Sequence, residues 1–180
     1  MRANKASIMV ATFKLEDALI SAEKILAREP TNIIANMAKA RYLIFRKQYR
    51  QALKIYQATL RIAPRCLPDP RIGVGICFWH LGDQETAQKA WRRSIAVHDL
   101  PKSMPAYTLL GLSSLNQTKQ MQEGSEEHVE KYREAIGYLQ VSFKSVKTVA
   151  SSAIGLANHF LASSNWSNVI LLAFSYSRIC

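Results

Sequence analysis

The stretch Leu67-Pro-Asp-Pro-Arg-Ile-Gly-Val-Gly-Ile-Cys-Phe-Trp-His-Leu-Gly-Asp83, with the residues that follow it to Val97, decides the fold. Pro68 and Pro70 cannot continue an earlier helix. Pro70 does suit the first turn of a new one, where its missing N–H costs nothing. Asp69 stands just before it and can accept backbone N–H bonds as a cap. Apolar residues then recur at helical spacing (Ile72, Val74, Ile76, Phe78, Trp79, Leu81) until Gly82-Asp83 supplies a stop and a tight turn. A second helix is expected from Glu85 to about Val97, with Ala87, Ala90, Trp91 and Ile95 on one side and Lys89, Arg92 and Arg93 on the other. The stretch reads as one helical hairpin.

Gly73 and Gly75 set the kind of hairpin. Each glycine inside a helix costs about 1 kcal/mol relative to alanine, so two of them need a reason. A phosphate loop is excluded, because no third glycine follows and no strand pattern precedes. Close packing remains: Gly75 and Ala87 let the two helix axes approach, and Phe78 and Trp91 fill the gaps.

The rest of the chain repeats this unit. Ala87 is preceded in phase by Ala52 and Ala18, Gly75 by Ala40 and Ala6, Trp91 by Tyr56 and Ala22, and Pro64 by Pro30. The steps of 34 and 35 residues, with small residues at two contact points, an aromatic four residues after the second and a closing proline, are the tetratricopeptide (TPR) pattern. The expected fold is all-α, with TPR hairpins stacked as a right-handed superhelical solenoid truncated at both ends, forming a single array over residues 1–180.

The expected units are 1–30, 33–64, 68–99, 104–147 with an insertion near 116–128, and an incomplete 149–180. In the first, residues 1–12 supply the end of a first helix. Lys14 to Arg28 is its partner, buried along Leu15, Ala18, Leu19, Ala22 and Ile25. The second pairs Ile33–Arg46 with Tyr49–Ile62. The fourth pairs Pro105–Leu115 with Val129 to about Phe143, where Gly111, Ala135 and Leu139 take the contact roles and a polar, exposed segment intervenes. The fifth has a first helix at Val149–Leu161 with Ala157 at the contact, a turn at Ser164-Asn165, and a second helix from Trp166 holding Val169 and Ala173.

Composition agrees with a helical array. Hydrophobic residues make up 48% of 180 residues, with only seven glycines and six prolines. No run approaches the roughly 18–20 apolar residues that cross a membrane. The N-terminal Met1-Arg-Ala-Asn-Lys-Ala-Ser-Ile-Met-Val-Ala has charges and a short apolar run. Helix phase explains its small residues, so it is not read as an export signal. Cys66, Cys77 and Cys180 are odd in number and far apart, which fits a reducing compartment and no metal or redox pair.

The run Ala38-Lys-Ala-Arg-Tyr-Leu43, then Tyr49-Arg-Gln-Ala-Leu-Lys-Ile-Tyr-Gln57 and Pro64, followed by the opening stretch, resembles the large TPR scaffold subunit of the RNA polymerase II-associated factor (PAF) complex. The Pro68–Trp79 segment is the most specific part, since the repeat does not demand several of its residues. The resemblance covers most of residues 15–175 and is strongest over 33–98. It implies a nuclear, non-catalytic scaffold that holds other subunits of that complex, acts with RNA polymerase II directly or indirectly, supports transcription elongation and promotes co-transcriptional histone modification. It implies no cofactor.

In such an array the first helices line an inner surface. The inward positions are Ile34, Met37, Arg41, Ile44 and Phe45 in unit two, Ile72, Ile76, Trp79 and His80 in unit three, and Thr108, Leu112, Leu115 and Asn116 in unit four. This mostly apolar lining suits an extended peptide or a partner helix, and Trp79 and Arg41 are residue types that often dominate binding. The carboxylate grip of chaperone-binding TPR domains is excluded, because Ile34, Ala38, Gly73 and Ile76 stand at some of its positions.

Charge is the other signal. The formal net charge is +11, and no acidic residue occurs from Thr31 to Pro68. Arg46, Lys47, Arg50, Lys54, Arg61 and Arg65 form a basic face there, beside Lys39 and Arg41. An alternative function follows: a generic TPR adaptor whose basic face binds RNA or another polyanion through weak nucleic-acid contact, without base reading. Catalysis finds no support. His80, His98, His128 and His159 are scattered, no serine lies in a Gly-x-Ser-x-Gly elbow, and no metal-ligand spacing occurs.

Overall fold

A computed structural model of the chain describes residues 15–145 and 150–162. Every regular element among them is an α-helix: α1 (15–26), α2 (Ile33–Phe45), α3 (Tyr49–Ile62), α4 (Pro70–His80), α5 (Gln84–Val97), α6 (Met104–Thr118), α7 (Glu126–Ser145) and α8 (Ala150–Ala162). The chain divides into two compact units, with the boundary between Ala90 and Trp91 inside α5. The expected first helix over 1–12 and the expected second helix from Trp166 lie outside the described residues.

In the first unit, local chemistry sets each helix end. Asn32 caps α2 by accepting from the Ala35 N–H (3.1 Å), and the Asn36 amide donates to the Pro30 carbonyl (2.9 Å). Asp69 caps α4 as expected, accepting from the Arg71 N–H (3.0 Å), and Pro70 occupies the first turn. The Arg71 guanidinium also reaches Asp69 (3.1 Å) and the Pro64 carbonyl (2.9 Å), which ties the α3–α4 connection to the start of α4. Two helices end in the same hydrogen-bonded turn. After α4, Asp83 N–H donates to Phe78 O and Gly82 N–H to Trp79 O, with Gly82 at φ 90°. After α2, Gln48 N–H donates to Leu43 O and Lys47 N–H to Ile44 O, with Lys47 at φ 59°. Both are helix-stopping turns with a left-handed residue, and each leaves only a short link before the next helix; α3 packs back on α2.

The core of this unit is Ala40, Ala52, Tyr56, Val74 and Cys77. Tyr56 is seated against Gly73, where a β-carbon would come too close to Cζ, Cε2 and Cε1 of its ring. Gly73 thus serves close packing between α4 and the preceding α3. Gly75 and Ala87 are both buried, as is Trp91. On α1 the buried stripe differs from expectation. Ala18 and Ile25 are exposed, and the covered face runs Leu15, Leu19, Ala22, Leu26, stepping by three or four residues.

In the second unit α6, α7 and α8 pack together around Ile136, Leu139 and Leu156. Leu139 is fully buried and lies against two glycines: a β-carbon on Gly111 or on Gly155 would stand 2.7 Å from it. Gly111 therefore meets Leu139 and Ala135 as expected. On α8, Gly155 also meets Leu139, which fills the space a side chain at 155 would take, and the expected contact residue Ala157 packs against the same cluster. The insertion is also shorter than expected. α6 runs on to Thr118, whose hydroxyl donates to Leu115 O (2.9 Å), and α7 begins at Glu126, where Ser125 Oγ accepts from the His128 N–H (3.2 Å). Asn116-Gln-Thr contains no helix breaker, so the extra residues lengthen both helices and leave only 119–125 between them, with Gly124 at φ 81°. Thr108, expected on the inner lining, is buried instead. Its hydroxyl lies 2.6 Å from Ser142 Oγ and 3.2 Å from Ser152 Oγ, joining α6, α7 and α8 by a polar cluster.

Candidate partner-binding surfaces

The second unit carries an open groove of ≈ 630 Å³ between α6 and α8, with α7 and the 119–125 segment at its side. Leu112, Leu115 and Asn116 line it from α6, and Ile154, Asn158 and His159 from α8. Its position follows from the glycine contacts: Gly111 and Gly155 turn toward Leu139, so their neighbours Leu112 and Ile154 are offset from that contact. Ile154 is 61% exposed. The polar side is built around α7. Tyr132 Oη lies 3.0 Å from His159 Nδ1, and burial pushes the Tyr132 phenol up, so it stays protonated and can donate to that nitrogen. The His128 ring stacks on Tyr132, and its shielded Nδ1 has no hydrogen-bond partner among the described residues. An apolar floor with a few fixed polar groups orients a bound segment and holds its side chains out of water.

Ile154, Met121, His128, Tyr132 and His159 escape the sequence reading. The expected contact at Ala157 does not by itself reveal that Gly155 also meets Leu139 and sets Ile154 beside the groove.

In the first unit the expected lining residues have different fates. Ile34 (61% exposed), Arg41 and Phe45 (44% exposed) face solvent from α2. Met37 and Ile44 are half-buried and pack on the core cluster. Ile72, Ile76 and Trp79 are half-buried on α4. His80 is exposed but engaged: its ring stacks on Tyr49 at 4.4 Å with 6° between planes.

The basic residues Arg46, Lys47, Arg50, Lys54, Arg61 and Arg65 are all exposed, and none forms an ion pair among the described residues. Within the same stretch Lys39 does pair, with Glu23 of α1 at 3.6 Å. A shallow recess of ≈ 310 Å³, bounded by Lys47, Tyr49, Arg50 and Leu81, opens where α3 begins.

Among the described residues no three His, Cys, Asp or Glu side chains gather to hold a metal ion, and no helix is long and apolar enough to cross a membrane.

No protein-family model matches the chain. It is similar to Tetratricopeptide repeat protein 1 of Schizosaccharomyces pombe, with 33% identity over 160 residues, covering 88% of this chain and 15% of that protein. It is 40% identical over 80 residues to RNA polymerase-associated protein CTR9 of Saccharomyces cerevisiae, covering 44% of this chain and 7% of that protein. The chain thus spans about one seventh or less of these relatives. Among solved structures, the crystal structure of the APC/C hetero-tetramer Cut9-Hcn1 matches with a TM-score of 0.65 at 14% identity, over 90% of this chain and 28% of that one. The chain is a TPR-repeat protein in fold, related in sequence over part of their length to these two proteins.

Proposed function

We propose that this chain acts as a non-catalytic TPR scaffold that binds partner polypeptides in a nuclear RNA polymerase II elongation complex, the setting in which co-transcriptional histone modification is supported. Its partners are the other subunits of the PAF complex, with the polymerase contacted directly or through them. Polypeptide binding rests on one observation, the groove between α6 and α8 with its apolar floor and fixed polar edge. The elongation setting is drawn from the relation to RNA polymerase-associated protein CTR9.

The test is capture from nuclear extract at high salt, with bound proteins identified by mass spectrometry. Ile154→Glu is the diagnostic variant, because Ile154 is exposed and its replacement leaves the core intact. Retention of elongation-complex subunits by the wild type and their loss with Ile154→Glu, at unchanged thermal stability, is the expected result. Capture of no such subunit by either protein removes the elongation setting. Capture unaffected by Ile154→Glu removes the groove.

A further inference from the structure

The outward face of α3 has a composition that the packing of the helix does not require. At 3.6 residues per turn, its exposed residues Arg50, Gln51, Lys54, Ala58, Arg61 and Ile62 fall within an arc of about 120°. Ala52, Tyr56 and Thr59 are buried on the opposite side. Within the arc the three cations lie inside about 40° of one another and extend about 16 Å along the axis. Ala58 and Ile62 form an apolar edge beside them, and Ile62 is 55% exposed. The recess by Lys47 and Leu81 opens at the N-terminal end of the same face.

We propose that this face docks an acidic, amphipathic segment of a partner protein. Its carboxylates would meet Arg50, Lys54 and Arg61, and an apolar side chain would cover Ile62. Two features favour a polypeptide over a nucleic acid. The uncharged side of the stripe is Ala58 and Ile62, a small residue that permits close approach and a branched apolar one. The arc also holds no aromatic ring on which a base could stack, and the ring next to it, Tyr49, already stacks on His80. Charge would steer and orient the partner, while the apolar edge and recess would set its residence time. The proposal rests on the polypeptide-binding reading above but not on the elongation setting, and it uses a face separate in sequence from the α6–α8 groove.

Two labelled probes test it by fluorescence anisotropy on the 180-residue chain. One is an 18-residue helix-forming peptide with glutamates at the spacing of Arg50, Lys54 and Arg61 and leucines beside them, about 27 Å long as a helix and so long enough to span the stripe; the other is a uridine 20-mer. The expected result is peptide binding that weakens with salt and exceeds uridine binding. It should fall about tenfold or more in Arg50→Glu/Lys54→Glu/Arg61→Glu, and a few-fold in Ile62→Ser, which changes no charge. Ile154→Glu should leave it unaltered. Tighter uridine binding with no effect of Ile62→Ser overturns the proposal in favour of a polyanion surface. Affinity unchanged in the triple variant, or lost in Ile154→Glu, overturns it outright, the latter placing the peptide in the groove.

Discussion

Replacing Gly73 with alanine sets two effects of opposite sign against each other. Alanine is favoured over glycine in a helix interior by about 1 kcal/mol. Here, however, the new β-carbon would stand 2.6 Å from Cε1 of Tyr56 and closer still to Cζ and Cε2. Carbon atoms in comfortable contact are about 3.5–4.0 Å apart, so the ring would have to withdraw by about 1 Å. It has little room: Tyr56 is buried in one cluster with Ala40, Ala52, Val74 and Cys77. Overpacking of this kind costs about 1–3 kcal/mol. With the upper half of that range set against the helix gain, Gly73→Ala should lower stability by about 1–2 kcal/mol. The diagnosis comes from the pair. In a Tyr56→Leu background the obstacle is gone, and Gly73→Ala should then raise stability by about 1 kcal/mol. The coupling, about 2–3 kcal/mol, lies well above the roughly 0.3–0.5 kcal/mol by which independent sites depart from additivity. Urea unfolding of the four proteins followed by circular dichroism measures it. If Gly73→Ala stabilises both backgrounds equally, Tyr56 does not rest on Gly73 and the account of the α3–α4 contact is wrong.

Lys47 holds a left-handed conformation at the position where the next hairpin has Gly82, so Lys47→Gly should stabilise the chain by about 0.5–1 kcal/mol in the same urea assay. Burial, and after it the charge of neighbouring Cys77, pushes the Tyr56 phenol up to about 12 from its ordinary 10.0. Because the folded value is the higher one, its contribution is complete below pH 10 and is lost as pH rises toward 12. Tyr56→Phe should abolish this part of the alkaline destabilisation, on the order of 2 kcal/mol, read from melts across that window. Burial likewise raises the fully buried Cys77 thiol to about 11, whereas Cys66 is partly exposed with a smaller rise caused first by burial and then by Asp69. Iodoacetamide at pH 8 should label Cys66 before Cys77 in the folded chain, and a peptide map showing equal rates would contradict the burial of Cys77.

The hairpin grammar was legible because each of its signals is local. Pro70 after Asp69 marks a helix start in any context, and Gly82 marks a stop, so α4 appears where it was expected to within a residue. α3 matches its expected span because Ala52 and Tyr56 fix its phase. Most of the readings that failed depended on partners distant in sequence. Nothing near Thr108 announces that Ser142 and Ser152 will meet its hydroxyl, and so a polar residue on an apparent inner face proved to be buried. Polarity at Asn116-Gln-Thr suggested a loop, but polar residues without a breaker simply continued the helix. In α8 the repeat phase points to Ala157, and only the position of Leu139 shows that Gly155 is a contact as well. Repeat phase therefore singles out Leu112, Leu115 and Asn116 on α6, whereas no local signal singles out the α7 and α8 residues that line the groove with them.

The same packing rule separates charge that the repeat would carry anyway from charge that needs another explanation. In three second helices, α3, α5 and α7, an alanine and the large residue four positions later are buried: Ala52 with Tyr56, Ala87 with Trp91, Ala135 with Leu139. Once that pair points inward, the residues two before and two after the alanine must point outward, because they lie about 160° away around the helix. In α3 these are Arg50 and Lys54. In α5 they are Glu85 and Lys89, which neutralise each other at 2.6 Å. In α7 they are Arg133 and Gly137, so the second charge is missing. One architecture therefore accepts two cations, an ion pair or a cation with a glycine at the same two places. The fold leaves that choice open, and only in α3 do both positions hold a cation, continued by Arg61, without a carboxylate partner among the described residues. Such self-repulsion lowers stability for no packing return. An acidic partner on that face would relieve it, which is why the stripe on α3 reads as a feature of binding and not of folding.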